Sequence, residues 1–319
     1  MTALSPSTRL GVLCMIAGMF LISINDMVIK WLSGGYPLHQ LVFMRSVVGL
    51  SFSLLLLRFE GGLALLRTGK PGLHALRGLL VVLANTTFFA ALATLPLATS
   101  TALYFVAPLI VTLLSIPVLG EQVGPRRFLA IGFGFVGVII MMAPQFDLDR
   151  GGAGWVVILP VLAAAFYSGM AVLTRKLGQR SRASVLSLHL HVAFMCVSLG
   201  MYLVAGDGRY VQPETGESLN FLLRAWIWPK VDDWGMILII GLASGGIGYF
   251  MTQAYRLSPV SVVAPFEYVL LIFALFWGWL IFSDWPQLSV LAGAVIVIGS
   301  GIYVVLRERQ AAPRKVRQL

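Results

Sequence analysis

Glu267 interrupts an apolar run. It stands in Ala264-Pro265-Phe266-Glu267-Tyr268, inside a hydrophobic stretch that extends from about Pro259 to Phe282. A charged side chain at bilayer depth costs about 3 kcal/mol on insertion scales, so such residues face a bundle interior or a wet cavity and mark ion or substrate pathways. Desolvation favours the neutral carboxyl, which makes Glu267 a candidate for taking up and releasing a proton; the alternative is a protonated side chain hydrogen-bonded to a neighbouring helix. The first apolar run holds Ser23, Asp26 and Lys30 at i, i+3, i+7 spacing, which puts them on one helical face, where Asp26 and Lys30 can pair. A purely structural pair and a snorkelling Lys30 are the plain readings. Arg45, deeper in the next run, offers a planar fork of donors suited to a polar or anionic group.

Further candidates are distributed along the chain. Asn85, Thr86 and Thr87 interrupt the third apolar run, and Tyr249, Gln253 and Arg256 share one face of a later one; hydroxyls and amides of this kind also serve as glue between membrane helices. His189 and His191 titrate near neutral pH and suit a proton relay, with packing as the simpler role. Phe88, Phe89, Tyr104, Phe105, Phe266 and Tyr268 could stack on a planar molecule. No Cys or carboxylate neighbours the histidines in sequence to complete a metal site, no nucleophile stands with a base, and no cofactor motif is present. Gly132-Phe-Gly134-Phe-Val-Gly137 has the spelling of a dinucleotide loop but lies within an apolar run, without the preceding strand that such a loop requires. It reads as a small-residue packing face, matched by Gly293, Gly299 and Gly301. A homodimer through these glycine-rich helices is compatible with that reading.

The elements that hold these residues are membrane helices. Of 319 residues 58% are hydrophobic and 11% charged, with mean hydropathy +0.89, far from a soluble domain. At about 20 residues per crossing, ten spans are expected, at 10–32, 38–58, 75–95, 99–119 and 126–143, then 153–177, 184–206, 234–256, 260–282 and 288–306. The net charge of +10 sorts by loop: Arg150, Arg209, Arg224 and Lys230 fall on one side, and nearly all other Lys and Arg on the opposite side. That asymmetry predicts cytoplasmic N- and C-termini and removes nucleic acid as a partner. The basic tail of 307–319 then faces the cytoplasm as a lipid-contacting segment. The first span is too long for a cleaved signal and is expected to be retained. Cys14 and Cys196 both lie in apolar segments and read as small hydrophobic side chains. The long outer loop, about Gly206 to Asp233, carries Leu222, Leu223, Trp226 and Trp228 and suggests an interfacial helix, with a substrate lid as the alternative.

The stretch from Pro96 can be laid over that from Pro259, with Tyr104 on Glu267 and Glu121 on Asp284. Two five-span halves, 10–143 and 153–306, follow, and five being odd, they enter the membrane from opposite sides. The fold expected is all-α, ten transmembrane helices as two inverted repeats.

These features resemble the drug/metabolite transporter superfamily, EamA type. The resemblance rests on "LGE" at Glu121, "NDMVIK" in the first span, "FMR" at Arg45 and "AYRLSPVSVVAPFEY" before the ninth; "SD" at Asp284 departs from the "GE" of the first repeat. It implies a central cavity with the fifth and tenth helices peripheral, and the "ND" and "APFEY" features are closest to the bacterial branch with riboflavin and S-adenosylmethionine carriers. The expectation is a bacterial inner-membrane secondary transporter for a small polar metabolite, not an enzyme and without a cofactor, its halves rocking about a midplane site built from Asp26, Lys30, Arg45, Asn85, Tyr104, His189, Tyr249, Gln253 and Glu267. Riboflavin uptake leads as the activity, then S-adenosylmethionine. Export of amino acids or drugs, or a non-transporting scaffold, are the alternatives.

Overall fold

The structure, a computed structural model, describes residues 6–60, 71–120, 124–145, 153–177, 183–212, 216–258 and 263–311. Glu121, Arg150, Pro259 and the tail from 312, which carry part of the repeat match and of the charge asymmetry, lie outside the described residues. Among the described residues every regular element is helical: α1 (Pro6–Leu32), α2 (Leu38–Glu60), α3 (Pro71–Leu92), α4 (Leu97–Tyr104), α5 (Ala107–Leu119), α6 (Pro125–Met142), α7 (Ile158–Leu177), α8 (Ala183–Ala205), α9 (Glu217–Leu223), α10 (Trp234–Leu257), α11 (Val269–Phe282) and α12 (Leu288–Ala311). Eight described helices are long and apolar enough to cross a membrane, α4 and α5 counting as one, and two shorter apolar stretches, Phe128–Met142 and Leu288–Val304, bring the crossings to ten. Helices dominate because hydrocarbon offers backbone groups no partner, and each helix satisfies its own.

The crossings close into a ring. Going round it, α11 packs on α1, α1 on α10, α10 on α2, α2 on α8, α8 on α3, α3 on α7, and α7 on α4 and α5, with α4 returning to α11. Every long helix pair in this ring except α4 with α5 joins the first half of the chain to the second. α6 and α12 lie outside it, packed on each other along their length, the peripheral place the resemblance implies for the fifth and tenth crossings. Gly137 and Gly293 explain their approach: a Cβ on Gly137 would meet the Gly293 carbonyl at 2.8 Å, and one on Gly293 would meet the Gly137 carbonyl in turn. Gly137 and Gly293 are thus used within one chain, whereas a Cβ on Gly132 or Gly299 would meet open space.

Two crossings are interrupted, one in its interior and one where its described part begins. Pro108 has no N–H to give the Tyr104 carbonyl, four residues back, so the fourth crossing cannot continue as one α-helix. It turns at Phe105 and Val106, whose amides reach back to Ala102 and Leu103. The hydroxyl of Ser168, on α7, lies 3.0 Å from the Ala107 carbonyl just past the break. The ninth crossing enters through a 3₁₀ turn, Ala264–Tyr268, before α11 begins. Tyr104 and Glu267, matched in the two halves of the sequence, stand at these two breaks.

The long loop is docked rather than free. Its helix is α9, ahead of the tryptophans, and Phe221 is buried. Gln40 exchanges both amide bonds with Ile227, Arg224 donates to the Ser33 and Gly34 carbonyls, and Tyr36 donates to Asp233 while accepting from the Lys230 amide. Trp226 sits against His39, Phe43 and Tyr202; of the loop's two indoles only Trp228 projects outward, 84% exposed.

Candidate functional site

A buried polar chain runs across three helices. On α1, Asn25 donates through Nδ2 to Asp26 Oδ1 at 3.0 Å, and its own Oδ1 accepts from Arg45 Nη1 of α2 at 3.0 Å. Arg45 Nη2 donates to Asn85 Oδ1 of α3 at 2.7 Å. Asp26, Asn25 and Arg45 are 7%, 5% and 5% exposed. The charges therefore meet through an amide: Asn25 stands between the carboxylate and the guanidinium and fixes both. Two rings, Phe89 of α3 and Phe194 of α8, lie 5.5 and 5.2 Å from the guanidinium carbon, within cation–π range. A cation held by two amides and two rings has a set orientation, which is what a group that recognises a small polar molecule needs.

Lys30 does not take the place expected for it. Its ammonium donates to the Leu92 and Leu95 carbonyls at 3.1 and 2.6 Å and lies 5.2 Å from the Phe282 ring. Leu92 ends α3, where a carbonyl lacks a helical partner and carries the negative end of the dipole, and Leu95 lies just past it; together they hold the cation that could have paired with Asp26. Ser23, on the same face, accepts from Trp277 Nε1 of α11 at 3.1 Å. That face of α1 makes interhelical ties as well as facing the polar chain.

The second group gathers at the helix breaks. Tyr104 packs its ring on Phe88 at 5.3 Å and on Tyr167 of α7 at 5.6 Å. Half-buried Glu267 lies within electrostatic reach of Tyr104, Tyr167 and Tyr268, and Asp26 within reach of Tyr104. Tyr104 is within electrostatic reach of both carboxylates, which relates the Arg45 chain to the Glu267 turn.

Other candidates lie apart. His189 bonds the Val185 carbonyl of its own helix and stacks on His74 at 5.3 Å. Tyr249 is 41% exposed on the face that also exposes Leu238 and Leu242, with half-buried Gln253 one turn on. The structure adds Asn25, Tyr167, His191 and Phe194 to the site region. His191 is 2% exposed and, two residues from His189, points to the other side of α8. Both histidines were visible in the sequence, but α8 is apolar all round, and the sequence does not say which side faces inward.

Residues 9–143 match the EamA-like transporter family. The chain carries an EamA transporter domain. Over nearly its whole length it is also similar to a riboflavin transporter of Rhizobium johnstonii, at 29% identity over 96% of this chain and 94% of that one. An S-adenosylmethionine uptake transporter of Rickettsia prowazekii is 24% identical over 92% and 91% of the two chains, and a pseudopaline exporter of Pseudomonas aeruginosa 27% identical over 90% and 93%. A solved crystal structure, 15% identical, shares the fold with a TM-score of 0.62 over 97% of this chain and 100% of its own. The EamA match spans α1 to α6, so it contains Asn25, Asp26, Arg45, Asn85 and Tyr104, whereas Tyr167, His191 and Glu267 come from the remainder of the chain.

Proposed function

We propose that this EamA protein is a secondary transporter that moves a small polar metabolite across a bacterial inner membrane by alternating access, with both termini in the cytoplasm and two inverted repeats at 10–143 and 153–306. The observation that carries the reading is the buried chain Asp26–Asn25–Arg45–Asn85 beside two broken crossings, since broken helices and interior charge mark the sites of transporters. A scaffold has no use for an interior cation held by two amides. Riboflavin is the first cargo to test and S-adenosylmethionine the second, in keeping with the relatives' names; proton coupling through Glu267 completes the proposal. The test is flux into liposomes reconstituted with the folded protein, together with growth rescue of strains that lack each uptake system. Rescue by neither cargo removes the preferred pair. The pseudopaline exporter among the relatives supports a second reading, export on the same scaffold, which loading the cargo inside the liposomes would reveal.

A further inference from the structure

The polar chain leaves donors over. Arg45 uses Nη1 and Nη2, but its Nε finds no partner, nor does Ser46 Oγ, nor either ring nitrogen of His191. All three side chains are at least nine-tenths buried: Arg45 at 5%, Ser46 at 0% and His191 at 2% exposure. Buried polar groups are normally satisfied, and each one left open costs about 1–3 kcal/mol. Four open atoms in one helix interface imply that something else completes them.

The three side chains lie where α2 packs on α8. Arg45, Ser46 and Gly49 share a side of α2, and the His191 ring lies on Gly49, where a Cβ would come within 2.7 Å of Nε2 and 3.0 Å of Nδ1. Phe194, one turn on from His191, lies against the Arg45 guanidinium. Glycine at 49 is therefore the cradle that lets the imidazole approach the arginine.

The chemistry of what is missing can be read from the valences. Arg45 Nε–H can only donate, and Ser46 Oγ and a neutral imidazole can each donate once and also accept. The fixed charge decides: the guanidinium's hydrogen bonds go to neutral amide oxygens, and Asp26 is held off by Asn25. We propose that Arg45, Ser46 and His191 form an occluded subsite for a carboxylate of the transported molecule. A carboxylate accepts through both oxygens, and charge-assisted bonds of this kind are the strong ones. The proposal rests on the transport reading for its statement that the carboxylate belongs to the cargo. It ranks a cargo with an amino-acid carboxylate, such as S-adenosylmethionine, above riboflavin, which has none. A water molecule in the same place is the competing occupant.

The probe is acetate, added to nanodisc protein with ¹⁵N-labelled histidine, with acetamide and inorganic phosphate as comparisons. Four histidines are present, and the His191→Asn variant assigns the signal. Acetate is expected to move the His191 signal saturably and acetamide not, with Arg45→Gln weakening acetate by about tenfold or more. Gly49→Ala, which fills the cradle, is expected to abolish the response in a protein of unchanged helix content. An unmoved His191, or an equal response to acetamide, overturns the subsite, and an equal response to phosphate overturns its carboxylate specificity. Flux separates the two readings. Protein that carries riboflavin or S-adenosylmethionine while acetate leaves His191 unmoved loses only the subsite. Protein that carries neither while His191 responds loses only the cargo assignment.

Discussion

Arg45 and Asp26 show how one amide can change what a charge does. A direct ion pair would have made both side chains structural; with Asn25 interposed, the arginine is fixed through neutral oxygens and keeps an edge for another partner. Arg45→Lys retains the charge but cannot span Asn25 and Asn85 in one plane. Losing one charge-assisted bond is worth about 1.5–3 kcal/mol, so transport is expected to fall about 10- to 100-fold, and a wild-type rate in reconstituted vesicles removes Arg45 from the site. Glu267→Gln tests a different role, since glutamine keeps the shape and abolishes titration: accumulation should lose its dependence on the pH difference across the membrane, and an unchanged dependence clears Glu267 of coupling. The charged residues themselves were legible in the sequence, because a carboxylate or guanidinium in an apolar run needs an explanation. Their partners were not. Lys30 and Asp26 share a helical face, yet the carbonyls that hold Lys30 belong to the end of α3 and just beyond it, a contact that exists only once the helices pack.

At the level of elements, length and hydropathy placed all ten crossings, and the glycines of α6 and α12 were legible as packing faces, though not that they face each other. Gly293→Leu should therefore drive a side chain into the Gly137 carbonyl and Met141, costing about 1–3 kcal/mol as overpacking does. A lowered thermal midpoint with retained helicity is the expected result, and an unchanged midpoint would mean that α6 and α12 are not held at this distance. The docked loop was harder to read, because its fastening uses backbone carbonyls that no sequence pattern reveals. Tyr36 is its clearest tie. Burial first, and then the hydrogen bond to Asp233, raise the phenol above its ordinary value of 10.0. A raised acid is stabilised in its neutral form, so the bond donated to Asp233 contributes fully below pH about 10 and is lost as pH climbs through the raised value. A phenolate still accepts the Lys230 amide, so the alkaline loss is of the Asp233 bond and should appear as a fall in loop stability, whereas Tyr36→Phe, which removes both bonds, should speed hydrogen exchange at the Lys230 amide already at neutral pH. Equal exchange in the two proteins would remove the tie.

The helix ring bears on how the whole molecule can move. Two halves rocking as separate bodies would have to part α1 from α10, α2 from α8 and α3 from α7 together, since each pair joins one half to the other. A smaller boundary is available. Gly241 stands two turns into α10 and faces Val48 of α2, a Cβ there meeting Val48 Cβ at 2.6 Å; Gly78 stands two turns into α3 and faces Ala193 of α8, with 3.1 Å between the corresponding atoms. Under the proposed repeat these contacts are counterparts, one toward the end that carries α9 and the other toward the opposite end. Inverted repeats exchange roles between the two states of a transport cycle, so α2 and α10 should part when the α9 end opens, and α3 and α8 when the opposite end opens. Cross-linking distinguishes this from motion elsewhere. In a chain with Cys14 and Cys196 replaced, a Val48→Cys, Gly241→Cys pair and a Gly78→Cys, Ala193→Cys pair each lie near disulfide geometry after a small relaxation. Either bridge alone should stop transport, and reduction should restore it, because each locks one end shut. A Gly137→Cys, Ile296→Cys bridge between α6 and α12, outside the ring, should leave transport intact. Full transport through a bridged Val48–Gly241 or Gly78–Ala193 pair would show that those two helices travel together and that the moving boundary lies on the other side of the ring, beside α11.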